Sequence, residues 1–460
     1  MCGIVGGIGE PSDAAVAALR HRGPDGSGLV RLHGSWLGHT RLSVQDVSSA
    51  SAQPFGVGDV RLTYNGELWN HAELRRELQG LGRRFRTTGD TEVFAAALDQ
   101  WGVEALPRMQ GMFAAAWVAS DGILRLARDR HGEVPLHVFM ARPFSFASEL
   151  KALIAMGLNP GGFGWVPPGQ VWEVTRDRVE VKTWYQVPVG EFRGDRGLAM
   201  DAVRRGVEGG SLERTVSDVP VCTLLSGGID SAAVAAHLAS RLPGLVAYTA
   251  VMSERSPDLR AAREVAEHLG IELREVPVAA PSADDLAEVV RVIEMPHKAQ
   301  VEIGWACLQL ARRMREDGFK VTFSGEGSDE LWASYGMSYH GVRKLGWRGY
   351  REKLFGDQHR KNFARCNKVF MAAGIECRLP FLSTDLVEVA LSLPMDLVQD
   401  GRSRPKAVLQ DSHADLLPAS IVRRQKLAFQ DGLGLKPECE RAVSDPRRFY
   451  DHVFRGLYGS

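Results

Sequence analysis

Paired cysteines, long apolar runs and an excess of charge are all missing from this chain of 460 residues. The six cysteines, Cys2, Cys222, Cys307, Cys366, Cys377 and Cys439, are scattered without a C-x-x-C pair. This excludes a disulfide framework and a zinc site built on neighbouring thiols, and it points to reduced thiols in a cytoplasmic protein. No stretch approaches about 18 consecutive apolar residues, and no basic segment precedes an apolar one at the N-terminus, so neither a membrane span nor a signal peptide is expected. Lys plus Arg number 56, as do Asp plus Glu, so no overall field draws the chain toward nucleic acid or anionic lipid. What is present is an ordinary globular composition, 44% hydrophobic and 24% charged, over a length that allows about two to four domains.

The most informative stretch lies near the middle. Residues 219–225 form an apolar run that predicts a buried strand, and residues 232–242, nearly all Ala, Val and Leu, predict a helix. Ser226-Gly227-Gly228-Ile229-Asp230-Ser231 joins them. A strand turning through glycines into a helix N-terminus presents bare backbone N–H groups and the positive end of the helix dipole to an anion. The Gly-x-x-x-x-Gly-Lys-Ser/Thr spacing of γ-phosphate-transferring loops is absent. The sequence instead resembles the PP-loop of ATP pyrophosphatases, which split ATP between the α and β phosphates and adenylate their substrate. Beyond it, apolar runs at 245–252 and 271–278 alternate with an amphipathic segment at 259–269, a pattern that implies a parallel sheet with ligands at the strands' carboxyl ends. Val251 is therefore expected near the adenine. A second strand end carries Ser324-Gly325-Glu326-Gly327-Ser328-Asp329-Glu330. Mg²⁺ bound to pyrophosphate prefers carboxylate and phosphate oxygens, and Asp230 with Asp329 offers one carboxylate from each loop.

The N-terminus, Met1-Cys2-Gly3-Ile4-Val5-Gly6-Gly7-Ile8, reads as a short strand that begins with a thiol. Were Met1 removed, Cys2 would carry a nucleophilic sulfur and an α-amine of ordinary pKa about 7.7–8.0, near enough to neutrality to be its own general base. His21-Arg22-Gly23-Pro24-Asp25, Arg41-Leu42-Ser43-Val44, Tyr64-Asn65-Gly66-Glu67-Leu68 and Gly89-Asp90-Thr91-Glu92 follow in the order and rough spacing of class II glutamine amidotransferases, which this half resembles. Glutamine is a zwitterion, so its carboxylate calls for a guanidinium and its ammonium for a carboxylate, roles that fit Arg41 and Asp90. The Asn65 side chain and the Gly66 N–H suit an oxyanion hole. Glu67 would hold the substrate ammonium or the loop. Strand-like runs at 60–64, 112–118 and 123–127 and helical ones at 72–78 and 92–101 lie between the motifs. Glu149 and Lys151 read as a surface pair without chemistry. The Pro- and Gly-rich residues 185–197 read as a linker.

Taken together, Cys2, residues 226–231 and residues 324–330 resemble a glutamine-hydrolysing asparagine synthetase along nearly the whole chain. Ser256-Pro257-Asp258-Leu259, Ala364-Arg365-Cys366-Asn367-Lys368, Gly374-Ile375-Glu376-Cys377-Arg378 and Arg424-Gln425-Lys426 are further matches. The resemblance implies an N-terminal-nucleophile αββα glutaminase over residues 1–188 and a parallel-sheet PP-loop domain over residues 195–460. It implies contacts to ATP from Leu225, Ser226, Gly227, Gly228, Asp230, Ser231, Val251, Ser324 and Gly325. Glu326 would accept the proton of the attacking ammonia, and Lys426 would neutralise the leaving pyrophosphate. ATP and Mg²⁺ are the implied cofactors. The implied partners are glutamine, ATP and aspartate or another carboxylate, with no nucleic acid or membrane, and a homodimer is allowed. The implied reaction is amidation of aspartate through an acyl-adenylate, with a sister enzyme acting on a different carboxylate as the alternative. A cyclase of the β-lactam synthetase kind would not need Cys2, Arg41, Asn65 and Asp90, and a sensor would not need both aspartates and Glu326. Three departures stand out: Glu302 where the family has an arginine, Ser383 where it usually has Asp, and a shorter tail after Lys426. The first bears on the acceptor, since a reversed charge near a dianion changes what can bind.

Overall fold

The computed structural model describes residues 1–459 except 33, 189, 337, 402 and 426–431. Its N-terminal half stacks two six-stranded sheets. One contains Gly3–Ile8 between Ser35–Arg41 and Ser145–Ala147, and the other contains Val60–Leu68 beside Gly111–Val118. Alternation along Gly111–Val118 builds the layers. Met112, Ala114, Ala116 and Val118 enter the core shared with Ile4, Leu37 and Phe146, while Phe113, Ala115 and Trp117 pack with the helices His71–Gly80 and Asp90–Trp101. The helices Asp13–Ala17 and Leu150–Ala155 cover the other sheet through Ala15, Leu150 and Leu153, joined by Leu19 just beyond the first. The result is the αββα sandwich implied by the sequence.

The second half carries a five-stranded parallel sheet in the order Glu272–Pro277, Val246–Val251, Val221–Leu224, Val321–Phe323, Glu376–Arg378. From Val221–Leu224 the chain first runs outward to one edge and then returns to build the other. The connections leaving Val221–Leu224 and Val321–Phe323 therefore run toward opposite edges of the sheet, and the crevice at this switch point is where an open α/β sheet receives its ligand. Element boundaries follow the sequence reading to within a few residues, with one consequential difference. The strand expected at 60–64 continues to Leu68, so Asn65, Gly66 and Glu67 sit on a sheet edge instead of a loop.

A seam of buried charge joins the halves. Glu149 is fully buried; it pairs with Arg22 at 2.7 Å, with His21 at 3.0 Å and with Lys151 at 2.5 Å. Across the seam Glu294 accepts from the Leu150 and Lys151 N–H groups at 2.8 and 2.9 Å and from Lys368 Nζ at 2.6 Å. The surface pair read from Glu149 and Lys151 is thus corrected. Glu149 has extended backbone just ahead of its helix, so helical spacing did not govern where it points.

Candidate active sites

Cys2 opens the strand Gly3–Ile8 and is buried. Its N–H donates to Asn65 Oδ1 at 2.7 Å, its thiol reaches the Leu42 carbonyl at 3.8 Å, and its own carbonyl accepts from Arg22 Nε at 2.9 Å. Asn65 Nδ2 lies 3.4 Å from Ser148 Oγ. Phe113 directs both its N–H and its C=O toward Asp129. Gly66, its cross-strand neighbour, is therefore in a non-hydrogen-bonded pair, and its N–H points off the opposite edge of the strand. The Tyr64 and Leu68 N–H groups do the same, donating to Gln53 Oε1 at 2.6 Å and Asp90 Oδ2 at 2.9 Å. Only glycine fits at Gly66, where a Cβ would lie 2.1 Å from the Met112 carbonyl.

The other residues that the resemblance assigns to glutamine surround this edge. Arg41 donates to the carbonyls of Ser48 and Asp46. Asp90 accepts from the Tyr64 hydroxyl at 2.9 Å, and burial raises its pKa. Glu67 accepts from Gln45 and lies 3.9 Å from the Met1 amine. That amine is paired with Glu376, which reaches over from the last strand of the parallel sheet. Burial pushes Glu67 well up, with Glu376 adding to it. Burial pushes Glu376 the same way, but the Met1 ammonium and Arg378 hold it below the ordinary carboxylate range. Burial likewise raises the Cys2 thiol, while the ammonium beside it works in the opposite direction.

At the crevice of the parallel sheet lies a cavity of about 560 Å³ lined by Leu225, Ser226, Gly228, Asp230, Ser231, Ser324, Gly325, Glu326 and Asp329. The first loop is shaped from within: the Ser226 N–H and hydroxyl meet Ser231 Oγ at 3.1 and 3.0 Å, and Ser231 Oγ donates to the Gly228 carbonyl at 3.2 Å. Helix Ile229–Arg241 starts there and points its N-terminus at the cavity. The two loops touch, since a Cβ on Gly325 would lie 2.9 Å from the Asp230 Cβ. Gly227 turns away against the helix Pro257–Leu269, with the Ala261 Cβ 2.6 Å from where its own Cβ would be. Val251 also falls outside the lining, which takes Tyr248, Thr249 and Ala250 from that strand. The cavity's far wall is a polar chain: Arg365 pairs with Glu326 and donates to Gln300 at 2.9 Å, Gln300 donates to Asn362 at 2.6 Å, and Asn362 donates to Glu330 at 2.6 Å. Burial, then Glu326 and Asp329, push Glu330 up to about 7.

Between the two aspartates the sequence reading missed a residue. Lys406 Nζ, 3% exposed, lies 2.6 Å from Asp230 and 2.5 Å from Asp329. Burial works against its charge, but the two carboxylates more than compensate and raise its pKa. The carboxylates therefore converge on one point and already hold a cation there. Two carboxylates facing a phosphate cradle suit Mg²⁺, which takes few protein ligands beside phosphate oxygens. The signal in the sequence was slight, a single Arg404-Pro405-Lys406 in a polar stretch.

Glu302 is not in the cavity lining. It faces Lys298, 3.5 Å away, which also meets Glu440 at 2.7 Å. The cavity face of its helix, Lys298–Glu316, is Ala299, Gln300, Ile303 and Cys307. Glu302 is turned about a third of a turn off that face, so the charge that departs from the family pattern points away from this cavity. Ser383 packs under Gly210, away from the cavity. Lys426 lies outside the described residues. Its neighbour Arg424 donates to the Gly227 carbonyl at 2.8 Å and pairs with Asp258.

Residues 1–160 match the family described as glutamine amidotransferase domain, and residues 203–363 and 354–445 match asparagine synthase. The glutamine-hydrolysing asparagine synthetase 1 of Arabidopsis thaliana is 31% identical over 97% of this chain and 81% of its own length. Asparagine synthetase B of Escherichia coli is 31% identical over 97% of this chain and 86% of its own. Among solved structures, the glutamine phosphoribosylpyrophosphate amidotransferase of B. subtilis, 18% identical, overlaps with a TM-score of 0.36 over 60% of this chain and 65% of that one. With its two halves matching in order and its relatives aligned over nearly all of its length, the chain belongs to the glutamine-hydrolysing asparagine synthetase family.

Proposed function

We propose that this chain amidates aspartate to asparagine with glutamine as the nitrogen donor, cleaving ATP to AMP and pyrophosphate in a cytoplasmic setting. In this reading residues 1–188 form the glutaminase and residues 195–460 the synthetase. Cys2, freed of Met1, attacks the glutamine side-chain amide; Asn65 Nδ2 and the Gly66 N–H receive the developing oxyanion. Arg41 takes the glutamine carboxylate, and Asp90 with Glu67 takes its ammonium. In the cavity, the backbone around Leu225, Ser226 and Gly228 cradles phosphate while Ser324 and Gly325 border the nucleotide. Asp230 and Asp329 would hold Mg²⁺, which when bound offsets charge on the departing pyrophosphate. Glu326 accepts the proton as ammonia attacks the acyl-adenylate, and Arg365 keeps that carboxylate aimed. Lys426 is assigned to the pyrophosphate by its place in the motif. The observation that carries this reading is that Glu326 and the aspartate pair open into one cavity with the phosphate loop.

The test is product analysis with glutamine, ATP and aspartate supplied together. Asparagine, AMP and pyrophosphate are expected in equal amounts. ADP as the nucleotide product would end the adenylation reading, and AMP formed only with another carboxylate would end the assignment of aspartate.

A further inference from the structure

The helix Asn362–Met371 lies between the two candidate sites and carries side chains into both. Asn362 and Arg365, three residues apart, share the face that lines the cavity. Asn367 is two residues beyond Arg365 and so about 200° around the helix. There it is 4% exposed, and its Oδ1 accepts from Arg22 Nη2 at 2.8 Å, while its Nδ2 contacts the Met1 sulfur at 2.9 Å. Arg22 is itself fully buried, and its other donors go to the Cys2 carbonyl at 2.9 Å and to Glu149 at 2.7 Å. An unbroken line of contacts thus runs from Glu326 through Arg365, along the helix to Asn367, through Arg22 and into the peptide that carries the thiol. The next residue, Lys368, bonds Glu294 at 2.6 Å and fixes the helix to the seam.

We propose that Asn367 is a positioning residue for Cys2, acting through Arg22, and that it makes glutamine hydrolysis responsive to occupancy of the adenylation cavity. A guanidinium with all three arms engaged has one orientation, and the Asn367 arm is the one that comes from the synthetase half. A shift of Arg365 when the cavity fills moves the same rigid helix and, with it, the carbonyl of the nucleophile's own residue. The proposal rests on the reading of Cys2 as the glutaminase nucleophile.

The test uses the full chain with Asn367→Leu, which preserves size and removes the acceptor. Glutamine hydrolysis is expected to lose about tenfold in kcat with KM within twofold, while synthesis driven by ammonium chloride stays within twofold of the unsubstituted protein. Asn367→Asp, which restores an acceptor for Arg22, is expected to recover hydrolysis to within threefold; should the leucine variant fail to fold, Asn367→Ser, too short to reach Arg22, replaces it. ATP with aspartate is expected to change kcat for hydrolysis at least twofold in the unsubstituted protein and not in the leucine variant. Unchanged hydrolysis, an equal loss of both activities, or an equal response to ATP in both proteins overturns the proposal. Hydrolysis that survives Cys2→Ala would instead overturn the nucleophile reading, so the two failures are distinct.

Discussion

Lys406→Met isolates what the shared ammonium does for the aspartate pair. The substitution keeps the length of the side chain and removes the charge lying 2.6 and 2.5 Å from Asp230 and Asp329. Removing one partner from a buried ion pair costs about 3–5 kcal/mol. Each aspartate side chain is 23% exposed, so water offsets part of the loss and the lower figure, about 3 kcal/mol, is the expectation. With an unfolding entropy of about 2.1 cal/mol/K per residue, the 460 residues give roughly 1 kcal/mol/K, and Tm should fall by about 3 °C in magnesium-free buffer. The carboxylates of the variant then present a vacated cation position. If Mg²⁺ takes it with a dissociation constant of about 1 mM, 10 mM magnesium returns about 1.4 kcal/mol, or roughly 1.5 °C. Differential scanning fluorimetry with and without magnesium measures both shifts, and calcium-free EDTA buffer supplies the baseline. A variant as stable as its parent, or a magnesium response equal in the two proteins, would refute the reasoning that one point between the loops takes either cation.

Cys2→Ala should abolish glutamine-dependent asparagine formation while leaving synthesis from ammonium chloride, followed by release of glutamate and of pyrophosphate. Asp329→Asn should lower AMP production by at least a hundredfold, the effect of losing several kcal/mol of charge stabilisation, with glutamine hydrolysis measured alone largely kept. Glu302→Gln should change KM for aspartate by less than twofold, because Glu302 faces Lys298 and not the cavity; a larger change would place it back at the acceptor. Burial holds His39 and His131 to about 3, so both are neutral in the folded chain where the unfolded chain, with an ordinary pKa of about 6.5, begins to protonate them. Their contribution is complete above about pH 6.5 and is lost as pH falls toward 3, at about 1 kcal/mol per histidine per pH unit below 6. Urea midpoints measured at pH 7, 6 and 5 should fall accordingly, and His39→Leu should flatten the slope by its share.

What the sequence made legible was local. A strand turning through Ser226-Gly227-Gly228 into a helix is dictated within ten residues, and the alternation of apolar runs implied the parallel sheet that the chain forms. Cys2 and Asn65 could be paired because their chemistry is rare in combination, and they meet; Gly66 follows Asn65 on the same strand. Contacts between distant segments were not legible. Lys406 reaches Asp230 across 176 residues, and no local pattern separates it from a solvated lysine. Glu149 was misjudged because helical spacing was applied to a residue with extended backbone. Gly227 was assigned to the nucleotide by its motif and Val251 by its place at a strand's carboxyl end, whereas the turn of the loop directs the glycine at Ala261 and the cavity opens before the end of the strand.

The seam of buried charge has a consequence for how the molecule can be divided. Glu294 belongs to one half, yet two of its hydrogen bonds come from the backbone of Leu150 and Lys151 in the other. Arg22 has the reverse dependence on Asn367. Either half expressed by itself would carry ions built for burial with their complements missing, a cost of several kcal/mol that a domain of ordinary stability cannot absorb. Cutting the chain within residues 185–197, by contrast, severs no member of that seam. The two pieces made together in one cell should assemble and copurify, and a half transplanted from a distant relative should do so only if it brings its own matching set of buried partners.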